Sequence, residues 1–104
     1  MDLNEAISKA VLLRNDFLKY EMKNYGKNWD INNIAQGFVG DVGDLMKLIL
    51  AKEGLRKIEN VDEKIAHELA DCLWSVLVIT SFYKVDLESS YLKMINELTE
   101  FIKR

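Results

Sequence analysis

The chain has 104 residues and a formal net charge of −3, and 49% of its residues are hydrophobic. This length suits one domain over residues 1–104, and the absence of Lys/Arg-rich runs argues against a surface for nucleic-acid polymers. The lone cysteine, Cys72, excludes a disulfide framework, and its apolar surroundings predict a small core residue in a reducing compartment.

The sequence contains no predicted targeting signal or membrane span. The chain begins with a charged, polar stretch, so no signal peptide is expected. The most apolar window, residues 65–83, contains His67, Glu68 and Asp71, and carboxylates at that density argue against a membrane span. We therefore expect a cytoplasmic protein without a membrane partner. Because so short a chain buries a limited share of its surface alone, association with a second copy is expected.

Four helices are predicted, since proline is absent and glycine is scarce. Apolar residues recur at helical spacing from Leu3 to about Asn24, and Gly26 is expected to provide the C-terminal cap. Asp30 or Asn32 is expected to cap a second helix that continues to about Lys52.

A connector over residues 55–61 separates the second helix from the third, for which Asp62 is the predicted cap. The third helix extends to about Tyr83. After a short break, Asp86 is expected to cap a last helix over Leu87–Lys103. Short connections between four helices predict an all-α, antiparallel four-helix bundle, which we expect to be completed by homodimerisation.

Two acidic pairs lie inside the second and third helices: Asp41 with Asp44, and Glu68 with Asp71. Because each pair is spaced i,i+3, its two carboxylates lie on one side of their helix. The third helix is apolar almost all round, which predicts burial on nearly all sides and places its carboxylates in or beside the core. Buried carboxylates must be protonated, paired with cations or bound to a metal, because unpaired burial costs several kcal/mol.

Chain geometry is expected to bring the two acidic pairs to the same height. Their centres lie almost equally far from residue 56 in the connector, and antiparallel helices joined by a short connector place such positions side by side. Four oxygen-rich side chains that converge at one level suit a hard cation such as Mg²⁺ or Mn²⁺.

Ordinary ion pairs are the alternative explanation for part of this pattern. Lys47 can pair with Asp44, and Lys64 can pair with Glu68, whereas the other two carboxylates have no obvious basic partner. Either acidic pair alone is also typical of a solvated helix face. The joint arrangement in apolar surroundings favours a metal site.

The motifs resemble a known family. Residues 37–45, GFVGDVGDL, are similar to the helix of MazG-like nucleotide pyrophosphohydrolases, whose pattern resembles G-L-x-x-E-x-G-E-L. Residues 68–71, ELAD, resemble the second half of that signature, E-x-x-D. The resemblance extends from about Trp29 to the C-terminus. The glycines at positions 37, 40 and 43 lie within a predicted helix, and we expect a neighbouring helix or a ligand to approach them closely.

The resemblance implies an all-α bundle that assembles as a homodimer or tetramer. It implies Mg²⁺-dependent hydrolysis of nucleoside or deoxynucleoside triphosphates to the monophosphate and pyrophosphate. Asp41, Asp44, Glu68 and Asp71 would be the catalytic residues and the ligands of Mg²⁺, or of Mn²⁺. One of the four would act as general base on the attacking water, and which one stays open.

Substrate contacts are expected from further residues. By the resemblance, Lys93 and Asn96 would contact phosphates, and Lys47 lies beyond the first acidic pair, where it can contact phosphate or remain a solvated lysine. Trp29 is expected to stack on a nucleobase with Asn33 nearby, or alternatively to close the end of the bundle.

Two departures from the family pattern keep an alternative function open. Both acids of the first motif are aspartates where the family usually has glutamates, and no arginine follows Asn96 until Arg104. These departures favour a catalytically weak or inactive helical dimer that binds metal or nucleotide as a sensor or scaffold. A third hypothesis is a plain helical scaffold with solvated carboxylates and no metal.

Overall fold

Four α-helices and no strand make up the computed structural model, which describes all of residues 1–104. In chain order the helices are α1 (Leu3–Tyr25), α2 (Ile31–Lys52), α3 (Val61–Phe82) and α4 (Leu87–Lys103). The predicted all-α class is confirmed. Each predicted helix is present with ends that agree to within about two residues, because the local signals of periodicity and capping are strong in this chain.

The α1–α2 loop is closed by local caps. Gly26 ends α1 in the left-handed conformation with φ of 65°, as its position predicts. Asp30, rather than Asn32, caps α2: its carboxylate accepts a hydrogen bond from the Asn33 backbone N–H, and the Asn33 side chain accepts one from the Asp30 N–H, each at 3.0 Å. This reciprocal arrangement is a capping box, which satisfies two backbone donors at once.

The predicted cap of α3 was wrong. Asn60 precedes the helix in the left-handed conformation with φ of 53° and makes no side-chain cap bond. The helix therefore begins at Val61, one residue before Asp62. The Asp62 carboxylate instead accepts a 2.6 Å hydrogen bond from Lys52 Nζ, which links the end of α2 to the start of α3.

The packed core lies where α3 meets α1 and α2. Ala10, Ile34, Leu77 and Val78 are its buried members. Trp74 packs partly buried against them, and its indole N–H donates a 3.2 Å hydrogen bond to the Ala10 carbonyl. Since α3 supplies two of the four core residues, it is the helix around which the other two are organised.

An ion pair on α1 holds the α1–α2 loop against that helix. Glu21 is buried, accepts a 2.8 Å hydrogen bond from the Trp29 backbone N–H, and lies 3.5 Å from the Arg14 guanidinium. Arg14 also donates to the Trp29 carbonyl. These contacts place the Trp29 ring on Gly37, where an added Cβ would lie 3.4 Å from the ring. The group that contacts this glycine is therefore a loop side chain, not the neighbouring helix or ligand that was expected.

The other two glycines of α2 do not behave as expected. A Cβ added at Gly40 or Gly43 would meet no atom within 4 Å. Within one chain, no helix approaches these two glycines as predicted, because both positions point away from α1 and α3.

The expectation that α3 is buried on nearly all sides was also wrong. Leu69 and Leu73 are each 52% exposed, because only one side of this helix meets α1 and another meets α2. By length and composition alone α3 could cross a membrane, a criterion that core helices of folded domains also meet. In this structure it lies between α1 and α2.

Helix α4 does not complete a four-helix bundle within one chain. It contains no buried residue and has almost no contact with the other helices. Asp86 caps it as predicted, accepting a 3.1 Å hydrogen bond from the Ser89 backbone N–H. Between α3 and this cap, Lys84 adopts the left-handed conformation with φ of 55°. Within one chain, therefore, three helices pack and the fourth is separate.

Candidate metal and nucleotide site

Helices α2 and α3 bring three predicted carboxylates together. One carboxylate oxygen from each of Asp41, Asp44 and Glu68 lies within 4.8 Å of the others, and we call this set the acidic trio. Asp41 and Glu68 are partly buried, and Asp44 is exposed. The i,i+3 spacing puts Asp41 and Asp44 on one side of α2, and the packing of α3 against that side supplies Glu68.

One oxygen of the acidic trio has no partner. Glu68 Oε2 is buried and accepts no hydrogen bond. The ion pairs considered from the sequence do not form, since neither Lys47 nor Lys64 lies within ion-pair distance of a carboxylate. A buried carboxylate oxygen without a donor carries the full cost of its desolvation, so a proton or a cation is the group that satisfies it.

Electrostatics in the trio favour the same conclusion. Burial, followed by the negative charges of neighbouring carboxylates, raises the pKa of Asp41 and of Glu68 above their usual values. His67 acts in the opposite direction on both groups but does not outweigh these two causes. The site therefore concentrates negative charge that the protein itself does not neutralise.

Asp71 stands apart from the acidic trio. Its carboxylate lies 3.2 Å from His67 Nε2, one helical turn away on α3. Sequence reasoning left Asp71 without a partner, although the i,i+4 spacing of these two residues was the signal that could have found the pair. Three of the four predicted acids thus converge on one point, and the fourth is held beside them by a histidine.

Cys72 lies next to the site but is poorly suited to act as a nucleophile. Burial and then the charges of nearby carboxylates raise the pKa of its thiol, which keeps the sulfur protonated. The side chain is partly buried on α3. Cys72 is not part of the packed core, so the predicted core position is not confirmed.

A cavity of about 540 Å³ opens between α1 and the α2–α3 pair. Two of the predicted acids, Asp41 and Asp71, line it together with three aromatic side chains, and we call it the aromatic cavity. The aromatic members are Phe17, Trp29 and Trp74. Sequence reasoning expected a base-stacking role for Trp29 alone. Residue spacing gives no such role to the other two, because it cannot show that a helix face borders a cavity.

A second cavity, of about 390 Å³, lies on the other side of the acidic trio. Asp44 and Glu68 line it with Lys47, Lys64 and Glu63, and we call it the lysine cavity. Three carboxylates and two lysines therefore share this cavity, whereas Asp41 lines the aromatic one. The trio thus borders a cavity of mixed charge on one side and a flat apolar surface on the other.

The remaining predicted substrate residues lie elsewhere. Asn33 takes part in the capping box of α2 and lines a separate cavity with Trp29 and Tyr25. Lys93 lies on α4, where its ammonium is 3.9 Å from the Glu97 carboxylate, and Asn96 is on the same helix. Neither residue lines the aromatic or the lysine cavity. The structure does not bring them to the carboxylates within one chain, because α4 is not packed against α2 and α3.

Comparison of the chain with protein-family models, with curated proteins and with solved structures found no match in any of the three. The acidic trio, the two cavities and the two acidic motifs are the features of the chain that bear on its function.

Proposed function

We propose that this chain hydrolyses nucleoside or deoxynucleoside triphosphates to the monophosphate and pyrophosphate, with Mg²⁺ or Mn²⁺ as cofactor. The observation that carries the proposal is the buried, unpartnered Glu68 Oε2 inside a trio of converging carboxylates. The motif resemblance described above supports the same chemistry. The protein is proposed to be a cytoplasmic antiparallel bundle that assembles as a homodimer or tetramer.

The donor set fits a hard divalent cation. Three carboxylates supply oxygen ligands only, and no sulfur or neutral imidazole belongs to the trio. Oxygen ligands of this kind are typical of Mg²⁺ and Mn²⁺ sites, which also retain several water molecules or substrate oxygens. When bound, such an ion neutralises phosphate charge and lowers the pKa of coordinated water.

The two cavities suggest how a nucleotide is oriented. The aromatic cavity is within the size range of small-molecule sites, and the half-exposed ring of Trp29 offers a stacking surface for the base. On the opposite side of the acidic trio, Lys47 and Lys64 offer ammonium groups to the distal phosphates. A triphosphate that lies across the trio would therefore place its α–β bond beside the carboxylates.

Asp71 is assigned as the group that orients the attacking water. It is the one predicted acid outside the trio, it faces the aromatic cavity beside Asp41, and His67 fixes its carboxylate. In the reaction, the water oxygen bonds to phosphorus, the α–β phosphoanhydride bond breaks, and pyrophosphate leaves. The water proton passes to the Asp71 carboxylate, as general base catalysis requires.

One observation favours the second hypothesis, a dimer that binds metal or nucleotide without efficient turnover. Lys93 and Asn96, the phosphate contacts that the resemblance implies, lie on α4 away from both cavities within one chain. A binding protein needs the acidic trio but not these additional contacts.

Pyrophosphate release from a panel of canonical and modified nucleoside triphosphates tests the proposal. With Mg²⁺, the wild type is expected to release pyrophosphate from at least one member of the panel, and Glu68→Gln is expected to abolish release. Asp16→Asn, which removes one exposed carboxylate on α1, is the matched control and is expected to keep full activity.

Calorimetric titration with Mn²⁺ separates the remaining hypotheses. Binding by the wild type that is lost in Glu68→Gln, without any pyrophosphate release, would support the sensor. No binding by either protein would leave only the scaffold.

A further inference from the structure

Helix α4 carries an apolar stripe that is uncovered within one chain except at Leu87, which packs partly buried against the core. Each member lies three or four residues from another member, and together they occupy an arc of about 120°. We call this set the α4 stripe: Leu87, Tyr91, Met94, Ile95, Leu98, Phe101 and Ile102. All but Leu87 are at least 40% exposed. An isolated helix of this length is marginal in water, so burial of the stripe is what would hold it folded.

A second uncovered apolar surface lies on the α2–α3 pair, and we call it the outer face. On α2 its members span an arc of about 80° on the side away from Asp44. On α3 two leucines lie about 40° apart. In the proposed antiparallel arrangement, both groups face the side opposite α1. The members are Val39, Val42, Met46, Ile49, Leu69 and Leu73, all at least 41% exposed.

The total surface indicates how much of the chain is left uncovered. The accessible area is 8208 Å², whereas a compact monomer of 12.0 kDa exposes about 6000 Å². The radius of gyration is 16.8 Å, against about 13 Å for a compact chain of this length. The excess of roughly 2200 Å² per chain matches the area that obligate homodimers bury per partner.

We propose that α4 of one copy packs its stripe on the outer face of a second copy, and that the second α4 does the same in return. The same chain supplies both surfaces, so a two-fold axis covers both stripes and both outer faces with one type of contact. A second copy also accounts for Leu69 and Leu73, which make α3 apolar on a side that its own chain does not cover.

The first test measures mass by light scattering at micromolar concentration. The wild type is expected to have twice the chain mass of 12.0 kDa. Leu98→Glu in the stripe and Met46→Glu in the outer face are each expected to raise the dimer dissociation constant at least a hundredfold. Ser89→Glu adds the same charge on the opposite side of α4, and Gln36→Glu adds it to α2 about 60° outside the arc of the outer face. Both variants are expected to remain dimeric.

A monomeric wild type would overturn the proposal. A monomer that binds neutral phosphatidylcholine vesicles through these two surfaces would overturn it in favour of a lipid partner. Dimers that persist in both Leu98→Glu and Met46→Glu would overturn it as well. Hydrogen exchange of the wild type covers the case in which a variant does not fold. The amides of α4 are expected to be as protected as those of α3, and rapid exchange along α4 would contradict the contact.

These measurements do not depend on catalysis. The dimer contact can fail while pyrophosphate release persists, and the enzyme assignment can fail while the dimer stands. The two proposals are therefore distinguishable.

Discussion

Helices α3 and α4 are both rich in apolar residues, yet one lies at the centre of the molecule and the other outside it. Leu77 and Val78 of α3 are buried, whereas α4 buries no residue. The number of apolar residues on a helix determines how much of its surface is stabilised by burial. The neighbouring helices determine which residues bury that surface. On α3 the neighbours belong to the same chain, and on α4 they are proposed to belong to a second one.

The polar residues of the two helices differ for the same reason. Glu68 on α3 is enclosed by α2, so burial raises the pKa of its carboxyl and leaves one oxygen without a donor. Lys93 on α4 is exposed and pairs only with Glu97. Packing thus converts acidic residues on one helix into a candidate metal site and leaves a lysine on the other in solvent.

The largest expected effect is on turnover. Asp71→Asn is expected to lower the rate of pyrophosphate release by about 10²–10⁴-fold, because the amide cannot accept the proton of the attacking water. The melting temperature should change little, since Asp71 is only partly buried. Unchanged turnover in this variant would remove the general-base assignment.

Stability sharpens the contrast between the two helices. Leu77→Ala is expected to cost about 2–5 kcal/mol in the free energy of unfolding, because it leaves a cavity in the core. Leu98→Ala on α4 is expected to act through the dimer, so that its effect on the melting temperature depends on protein concentration. Thermal melts at two concentrations measure both. If Leu98→Ala changes the melting temperature equally at both concentrations, its effect does not act through the dimer and α4 is not stabilised by a second copy.

The metal-free protein is expected to lose stability as the pH rises. The pKa values of Asp41 and Glu68 are raised in the folded state, so their contribution is fully present below the unfolded values near 4 and is lost as the pH rises through the raised values. In EDTA at pH 7, Glu68→Gln should therefore melt a few degrees above the wild type. Millimolar Mg²⁺ should stabilise the wild type and leave the variant unchanged. A wild type that melts above the variant in EDTA would contradict the unpartnered carboxylate.

The smallest expected effect concerns the glycines. Gly40→Ala should stabilise the protein by about 1 kcal/mol, because alanine is the better helix former and the added Cβ meets no atom. Gly26→Ala is the contrasting variant and should destabilise, since its φ of +65° disfavours a side chain. Thermal melts decide both. A destabilising Gly40→Ala would indicate that a second copy approaches α2 at this position.

Much of the candidate site could be predicted from residue spacing. The i,i+3 pairs and their equal distance from the connector predicted that four carboxylates converge, and the structure brings together Asp41, Asp44 and Glu68 but not Asp71. The same reasoning missed the His67–Asp71 pair, although their spacing was available. It could not predict that Phe17 lines the aromatic cavity, because a helical period identifies a face and not what that face borders.

The sequence by itself determined the four helices, the caps at Gly26 and Asp86, and the two acidic pairs, because capping and periodicity act within a few residues along the chain. Only the tertiary structure decided that Asn60 rather than Asp62 precedes α3, that Glu68 keeps a buried oxygen without a donor, and that α4 stands apart. These outcomes depend on how distant segments share space, and burial of a carboxylate or exposure of an apolar stripe follows from that arrangement alone.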